Sequence, residues 1–330
     1  MQTPLVSIHM ITYNHAPYIA QAIEGILMQK TNFSFELVIG EDCSTDGTRE
    51  IVFDYAKSYP GIIKVITSDK NVGMYKNSFR TTQACQGKYV AYCEGDDYWQ
   101  RDDKLQIQAD YLETHPECGL VHSDQDRFFV GTGKKIKRFF WTTNNIPPSN
   151  FNIFRGWGSN HYHILTCTVM ARKKIIDSIT SDRFIYHNPQ HIGGTDIPLF
   201  IEIYMKSKIH YFNESLSTYT IQDESASNTK KLEQKDLFVR SNIKVYLYLA
   251  EKYGFEEEKI YLKQKLHQAN LWIAFWKNDS KLAYELKKNG WVSSINSWIL
   301  YIGATNKLAF LLFHPLISIY IRLKLKTYWL

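Results

Sequence analysis

Residues 88–99 read KYVAYCEGDDYW. KYVAYC has the aromatic and β-branched character of a buried strand, and the chain then turns polar at Glu94, Asp96 and Asp97. Three carboxylates within four residues repel one another unless positive charge stands between them. Whatever neutralises them belongs to the function.

Working outward, LVSIHMI (5–11) reads as a strand, and 17–29 as a helix with Ile19, Ile23, Ile26 and Leu27 at helical spacing. FELVIG (35–40) is a second strand. STDGT (44–48) supplies a turn and helix start before REIVFDYAKSY. IIKVIT (62–67) is a strand, separated from KYVAYC by NVGMYKNSFR; a helix over 104–115 precedes the strand CGLVHS. Near-continuous apolar strands alternating with helices predict an α/β domain, with a Rossmann-like, mostly parallel sheet and helices on both faces. Residues 131–163 show little periodicity and are expected to form a long loop. ILTCTVMARK (164–173) returns to strand character, PLFIEIYMK (198–206) to helix, and from Leu232 the pattern is helical. The expected organisation is an α/β domain over 1–225 with an appended helical C-terminal region over 226–330.

With 330 residues, 44% of them hydrophobic, the chain has ample core. Its formal charge of +6 is modest and diffuse, which argues against a nucleic-acid partner. The five cysteines form no CxxC pair and no zinc-like spacing, so reduced core thiols in the cytoplasm are expected. MQTPLVSIHMITYN lacks the basic start and cleavage site of a signal peptide. His161, His163, His187 and His191 lie on Gly/Pro-rich chain, without the register of a zinc site. Lys134, Lys135, Lys137 and Arg138 beside Phe139, Phe140 and Trp141 read as a solvated hairpin or, second, as a patch facing anionic head groups or an acceptor phosphate.

In an α/β sheet, ligands bind beyond the carboxyl ends of the strands. Thr12, Tyr13 and Asn14 fall at one such end, Glu41 and Asp42 at another, and Glu94, Asp96 and Asp97 at a third. Taken singly, Asp46 and Asp196 read as helix caps, and the Asp96–Asp97 pair as a turn. Their accumulation at one rim favours a hard divalent cation, Mg²⁺ or Mn²⁺, shared with a diphosphate. GxxxxGK[ST] and GxGxxG are both missing, which disfavours P-loop and dinucleotide folds.

Five segments together resemble the family-2 glycosyltransferases of the GT-A fold, in that family's order and spacing: VSIHMITYN (6–14), IGEDCSTDGT (39–48), NVGMYKN (71–77), GKYVAYCEGDDYW (87–99) and KLQIQADYLETHPE (104–117). The subgroup with EGDDYW is the nearest. The resemblance implies inverting transfer of a sugar from a nucleotide diphosphate donor, a UDP-sugar being favoured, to a hydroxyl of a glycan or lipid-linked acceptor in cell-surface polysaccharide synthesis. It implies that Thr12, Tyr13 and Asn14 line the base and ribose pocket, that Asp42 accepts from the base, and that Asn71, Gly73 and Asn77 shape the wall beside the sugar. Asp96 and Asp97 would contact ribose and metal-bound diphosphate, with Glu94 at the first position of the DxD motif. Asp196 would be the general base, since a carboxylate within reach of the acceptor hydroxyl takes its proton as the oxygen attacks. Two departures stand out. Thr195 precedes Asp196 where relatives often carry Glu, and Tyr219-Thr220-Ile221-Gln222 replaces a Tyr-Arg-x-His segment, leaving Gln222 as a neutral oxygen for the metal.

Two alternatives from other classes are a catalytically silent nucleotide-sugar-binding scaffold and, lower in order, a nucleotidyltransferase. The stretch LAFLLFHPLISIYI, between Lys307 and Arg322, is 14 residues long, short of the about 20 that span a bilayer. It is expected to lie at a membrane interface, placing the protein peripherally at the inner face of the plasma membrane, or to pack within the helical region.

Overall fold

The computed structural model describes residues 3–143, 164–182, 185, 194, 196–222, 232–292 and 294–315. Thr195 and the four histidines at 161, 163, 187 and 191 lie outside the described residues. The chain divides into two compact units, Met1–Lys230 and Lys231–Leu330.

In the first unit, β1 (Val6–Thr12) turns side chains alternately to two faces. Val6, Ile8 and Met10 enter the main apolar core with Leu37 and Ile39 of β2 (Phe35–Glu41). That core is closed by Ile19, Ile23 and Ile26 of α1 (Ile19–Leu27), Val52 of α2 (Thr48–Ser58), and Leu105 and Leu112 of α4 (Lys104–Thr114). Gly25 lets α1 sit directly on backbone: a Cβ there would stand 2.8 Å from Trp99 O. The opposite face of β1 carries Ser7 and His9, and α3 (Met74–Ala84) covers it, with His9 Nε2 3.1 Å from Ser78 O. Helices thus lie on both faces, as expected.

The sheet runs β3-β2-β1-β4-β8-β6-β9-β5, with β7 paired to β6. Its remaining strands are β3 (Ile63–Ile66), β4 (Tyr89–Tyr92), β5 (Tyr98–Trp99), β6 (Cys118–Phe129), β7 (Lys134–Ile136), β8 (Met170–Arg172) and β9 (Lys208–Ile221). Strands β1 to β4 are parallel, and so is the long β6–β9 pair. Beyond this parallel framework, β8 runs antiparallel between β4 and β6, and β5 antiparallel to β9. The 164–173 segment is strand only over its last residues, because a 3₁₀ turn at Thr166–Thr168 precedes β8. Part of the expected 131–163 loop is ordered as well: β7 forms a hairpin with β6, and α5 (Phe139–Thr142) buries Phe140. Helices α6 (Lys173–Thr180) and α7 (Asp196–Lys206) complete the unit.

The second unit is helical: α8 (Leu232–Lys252), α9 (Glu256–Trp276), α10 (Ser280–Lys288), α11 (Ile295–Thr305) and a further helical stretch over 307–315. Its core gathers Leu271, Ala274, Phe275, Ala283, Leu286 and Leu300. Local signals set the helix starts. The Asp279 carboxylate accepts Leu282 N–H at 3.0 Å to cap α10, and Ser294 and Ser297 form a capping box at α11.

Candidate active site

The acidic turn after β4 is stitched to the end of β1. Cys93 N–H donates to His9 O at 3.1 Å, Gly95 N–H to Ile11 O at 3.0 Å, and Asp97 N–H to Glu94 O at 3.1 Å. Gly95 is needed for this close approach, since a Cβ there would stand 2.6 Å from Thr12 Oγ1. Thr12 Oγ1 itself is buried, with no hydrogen-bond partner among the described residues.

Strand β5 follows at once and pairs with β9, Tyr98 opposite Thr218 and Trp99 opposite Ser217. That register brings the end of β9 beside the carboxylates. Thr220 N–H donates to Asp97 Oδ1 at 2.8 Å, and Gln222 Nε2 donates to Asp96 Oδ2 at 2.9 Å. His15 Nε2 stands 3.8 Å from the same Asp96 oxygen. Gln222 therefore steadies Asp96 with its nitrogen, which leaves its carbonyl oxygen as the atom available to a metal.

Burial dominates the electrostatics. Glu94 is pushed up to about 7 by desolvation, with Asp96 and Asp196 adding negative charge and a Thr166 hydrogen bond opposing. Asp97 is raised well above the usual carboxylate range by desolvation and then by Asp96 and Glu94, against the pull of the Thr220 N–H. Asp196 opens α7, and a Cβ at Gly194 would collide with its Oδ1. The residue is partly exposed, yet its carboxyl sits in desolvated surroundings that raise its pKa. Its field is felt at Glu94, which places base candidate and acidic turn in one electrostatic neighbourhood.

The second rim lies at the end of β2. Asp42 is 2% exposed and accepts Val72 N–H at 2.8 Å and Gly73 N–H at 2.9 Å, with Arg80 at 3.6 Å. It pins the Asn71-Val72-Gly73 turn, where Asn71 Oδ1 also accepts Gly73 N–H at 2.9 Å. Asn77 is buried, with its amide engaged inside the fold: Nδ2 donates to Gly40 O at 2.7 Å, and Oδ1 accepts Arg80 Nε at 2.9 Å. Asn14 adopts φ 55° and bridges to the Ser44 and Thr45 loop, its N–H donating to Ser44 Oγ at 3.0 Å and its Oδ1 accepting Thr45 N–H at 2.9 Å. Tyr13 is 44% exposed, an open ring beside this rim. Asp46 is not the N-cap expected of it, since Gly47, at φ 99°, takes that position. Asp46 stands one residue earlier, where its Oδ1 accepts Thr48 N–H at 3.0 Å and its Oδ2 accepts Ala16 N–H at 3.0 Å.

Several neighbours escape sequence reasoning. His15 directly follows Asn14, and only the fold brings it to Asp96. Thr166 and Cys167 reach Glu94 and Asp97 from the 3₁₀ turn. The parallel β6–β9 register sets Arg127 opposite Tyr219. Arg127 lies 3.4 Å over the Phe139 ring, and burial lowers it to about 10. Lys104, fully buried beneath the turn, sits 4.3 Å from the Trp99 ring centre and donates to Gln108 Oε1 at 2.7 Å. Burial pulls its pKa down to about 7.

The acidic turn fits a hard divalent cation. Glu94 Oε2 is a buried carboxylate oxygen with no partner among the described residues, a hard oxygen donor of the kind such a cation takes. Among the described residues no group of three or more His, Cys, Asp or Glu is placed so that it could by itself hold a metal ion. A cation held here would need further oxygens, such as those of a diphosphate, to complete its shell.

Residues 7–180 match the family model for glycosyl transferase family 2, which is more than half of the chain. The chain belongs to that family. An uncharacterized protein of Mycobacterium bovis is 42% identical over 112 residues, covering 34% of this chain and 32% of the relative. The putative teichuronic acid biosynthesis glycosyltransferase TuaG of Bacillus subtilis is 36% identical over 109 residues, covering 33% of this chain and 42% of the relative. The matched chain thus spans less than half the length of these curated relatives. Among solved structures, S. aureus TarS 1–349 in complex with UDP-GlcNAc superposes with a TM-score of 0.56 at 18% identity, over 91% of this chain and 79% of that one. The mannosyltransferase PcManGT from Pyrobaculum calidifontis, in complex with GDP-Man and Mn²⁺, gives 0.53 at 15% identity, over 95% and 87%. At these identities the likeness shows the fold alone, and that fold is GT-A.

Proposed function

We propose that the protein is an inverting, divalent-metal-dependent glycosyltransferase. It moves a sugar from a nucleotide diphosphate donor, a UDP-sugar in the favoured case, to a hydroxyl of a glycan or lipid-linked acceptor. The setting is cell-surface polysaccharide synthesis, with the protein held peripherally at the inner face of the plasma membrane. The observation that carries this reading is the buried acidic turn, which holds an unpartnered Glu94 oxygen and shares an electrostatic neighbourhood with Asp196.

Thr12, Tyr13, Asn14 and Asp42 form the rim for base and ribose, with Asn71 and Gly73 shaping the turn that Asp42 holds. Asn77 keeps that wall in place through Gly40 and Arg80. Asp96, steadied by Gln222 and facing His15, orients the donor's ribose and diphosphate. Glu94 and Asp97, with the Gln222 carbonyl, would hold Mn²⁺ or Mg²⁺, which supplies positive charge against the charge developing on the leaving diphosphate. Asp196 takes the proton of the acceptor hydroxyl while that oxygen forms the new bond to the anomeric carbon and the bond to the nucleoside diphosphate breaks. A carboxyl raised by burial is a stronger base when ionised. One displacement inverts the anomeric centre, with no covalent intermediate on the enzyme.

Support from similarity runs in the same direction. TuaG is named for teichuronic acid biosynthesis, and the solved neighbours were captured with UDP-GlcNAc or with GDP-Man and Mn²⁺. Product analysis after incubation with nucleotide sugars and sugar acceptors tests the reading. Nucleoside diphosphate together with a glycoside of inverted anomeric configuration is expected. Pyrophosphate would indicate nucleotidyl transfer instead, and retained configuration would remove the single-displacement role of Asp196.

A further inference from the structure

Residues 307–315 of the second unit are helical, and one side of this helix is used: Phe310 and Phe313 pack against the unit's apolar core, with the Phe275 and Phe310 rings 5.2 Å apart. The other side would be polar in a helix resting on a soluble domain. Here it carries Leu308, Leu311 and Leu312, which are 74%, 62% and 70% exposed. Helix α11 has a second outward stripe at helical spacing, Ile295, Trp298 and Ile302, at 81%, 39% and 41%. Large side chains placed outward in such number mark a surface that something covers.

Charge and aromatic content select the occupant. From Lys277 to Leu330 the sequence holds eight Lys or Arg against Asp279 and Glu285, so this stretch carries a net charge equal to the +6 of the whole chain. No charged residue occurs from 308 to 321, while Lys307 stands before that run and Arg322, Lys324 and Lys326 follow it. Lys287 Nζ sits 4.9 Å from the Trp298 ring centre and 4.8 Å from that of Tyr301, setting a cation at the edge of the apolar stripe. Leucines that enter the acyl boundary, Trp and Tyr at head-group level and lysines above them make the pattern of an interfacial membrane element. A self-associating apolar face gains nothing from so one-sided a charge, because two copies would bring their positive excess together. Among the described residues no helix is long and apolar enough to cross a membrane.

We infer that the outward faces of α11 and of helix 307–315 dock in the plane of an anionic phospholipid surface, with the leucine stripe inserted and the lysines on the phosphate groups. This deepens the membrane-side reading above by naming the surface and the lipid charge, and binding is measured without turnover.

The full chain is floated with phosphatidylcholine vesicles, with and without about a third phosphatidylglycerol, while nucleoside diphosphate release from a soluble donor is followed separately. The wild type is expected to float with the anionic vesicles, and raised salt should weaken that binding as the lysine–phosphate attraction is screened. A Leu308→Ser/Leu311→Ser/Leu312→Ser variant should bind at least about tenfold more weakly through lost apolar burial. Lys287→Gln/Lys288→Gln should bind about fivefold more weakly per charge removed. These side chains are exposed, so circular dichroism and the melting temperature of the variants should match the wild type, separating lost docking from lost fold. Wild type that stays with the soluble fraction overturns the inference. So does equal binding by the leucine variant, or a dimer that this variant dissolves while vesicles remain unbound. A protein that docks yet releases no nucleoside diphosphate leaves the surface standing and removes the catalytic reading; the reverse result does the opposite.

Discussion

Asp97 Oδ1 accepts the backbone N–H of Thr220 at 2.8 Å, joining two points 123 residues apart in sequence. This bond, with the Gln222 to Asp96 bond at 2.9 Å beside it, closes the end of β9 over the acidic turn. Chemistry-bearing carboxylates on a short loop are thereby held by a long strand of the sheet. Sites supported in this way keep their geometry better than sites on free loops.

Asp196→Asn removes the ionised oxygen that takes the acceptor proton and keeps the side-chain size. The expected loss in kcat is about 10²–10⁴-fold, with donor binding by calorimetry unchanged. Because burial raises the Asp196 carboxyl, the ionised base is lost as pH falls through a value above the ordinary carboxylate range. The acid limb of kcat should therefore lie above about pH 4. An Asp196→Asn enzyme that retains most of its transfer rate would assign the proton to another group.

Gln222→Leu deletes the donor to Asp96 Oδ2, leaving His15 at 3.8 Å as its remaining close partner among the described residues. A hydrogen bond to a charged group contributes about 1.5–3 kcal/mol. The donor KM should rise by about tenfold or more, and the melting temperature should fall by a few degrees as this intramolecular bond is lost. Steady-state kinetics over donor concentration reads this directly, and an unaltered KM would detach Gln222 from the site.

Acid stability carries a signature of two buried histidines. Desolvation lowers His9 to about 4 and His122 to about 3. Both are therefore neutral in the fold across a range where the unfolded chain, titrating near 6.5, takes up protons. Through these two groups the unfolded state binds more protons, so their contribution lowers stability from about pH 6.5 down to about 4 for His9 and about 3 for His122. The raised Glu94, Asp97 and Asp196 carboxyls, which take up protons first in the fold, act in the opposite sense. At about 1.4 kcal/mol per unit of displacement, the histidine contribution is roughly 3 kcal/mol for His9 and roughly 5 kcal/mol for His122 over their windows. The His9 part is read as a difference: from pH 7 to 4 the urea midpoint of the wild type should lose ground to that of His9→Gln. A difference between wild type and His9→Gln that does not change with pH through that range would contradict the assignment.

Gly25→Ala forces a Cβ to within 2.8 Å of Trp99 O, a backbone atom that cannot swing aside. The fold should lose about 1–3 kcal/mol. The shift shows in the denaturant midpoint, and an unshifted midpoint would mean that α1 and β5 separate freely.

The strands and helices up to α4 are legible in the sequence because their apolar residues repeat over enough positions to define a period, as with Ile19, Ile23 and Ile26 in α1. Strands such as β5 at Tyr98–Trp99 or β8 at Met170–Arg172 are too short to carry one. Strand direction is set by long-range pairing, so the antiparallel β8 could not be read locally. The same holds for the site. Glu94, Asp96, Asp97 and Asp42 announce themselves as acids at strand ends, whereas His15 and the 3₁₀ turn with Thr166 and Cys167 join them only through folding. Asn77 shows the converse: a polar residue in a matching motif whose amide ties β2 to α3.

The most direct test of the central claim is nucleoside diphosphate release from a panel of nucleotide sugars, with Mn²⁺ or with EDTA, by the wild type and by Asp97→Asn. The asparagine keeps an oxygen that can accept the Thr220 N–H and removes the charge, so fold and function separate. Release that needs the metal and falls by at least about a hundredfold in Asp97→Asn is the predicted result. Release that ignores both EDTA and the substitution, or no release from any donor by the folded wild type, would contradict the account.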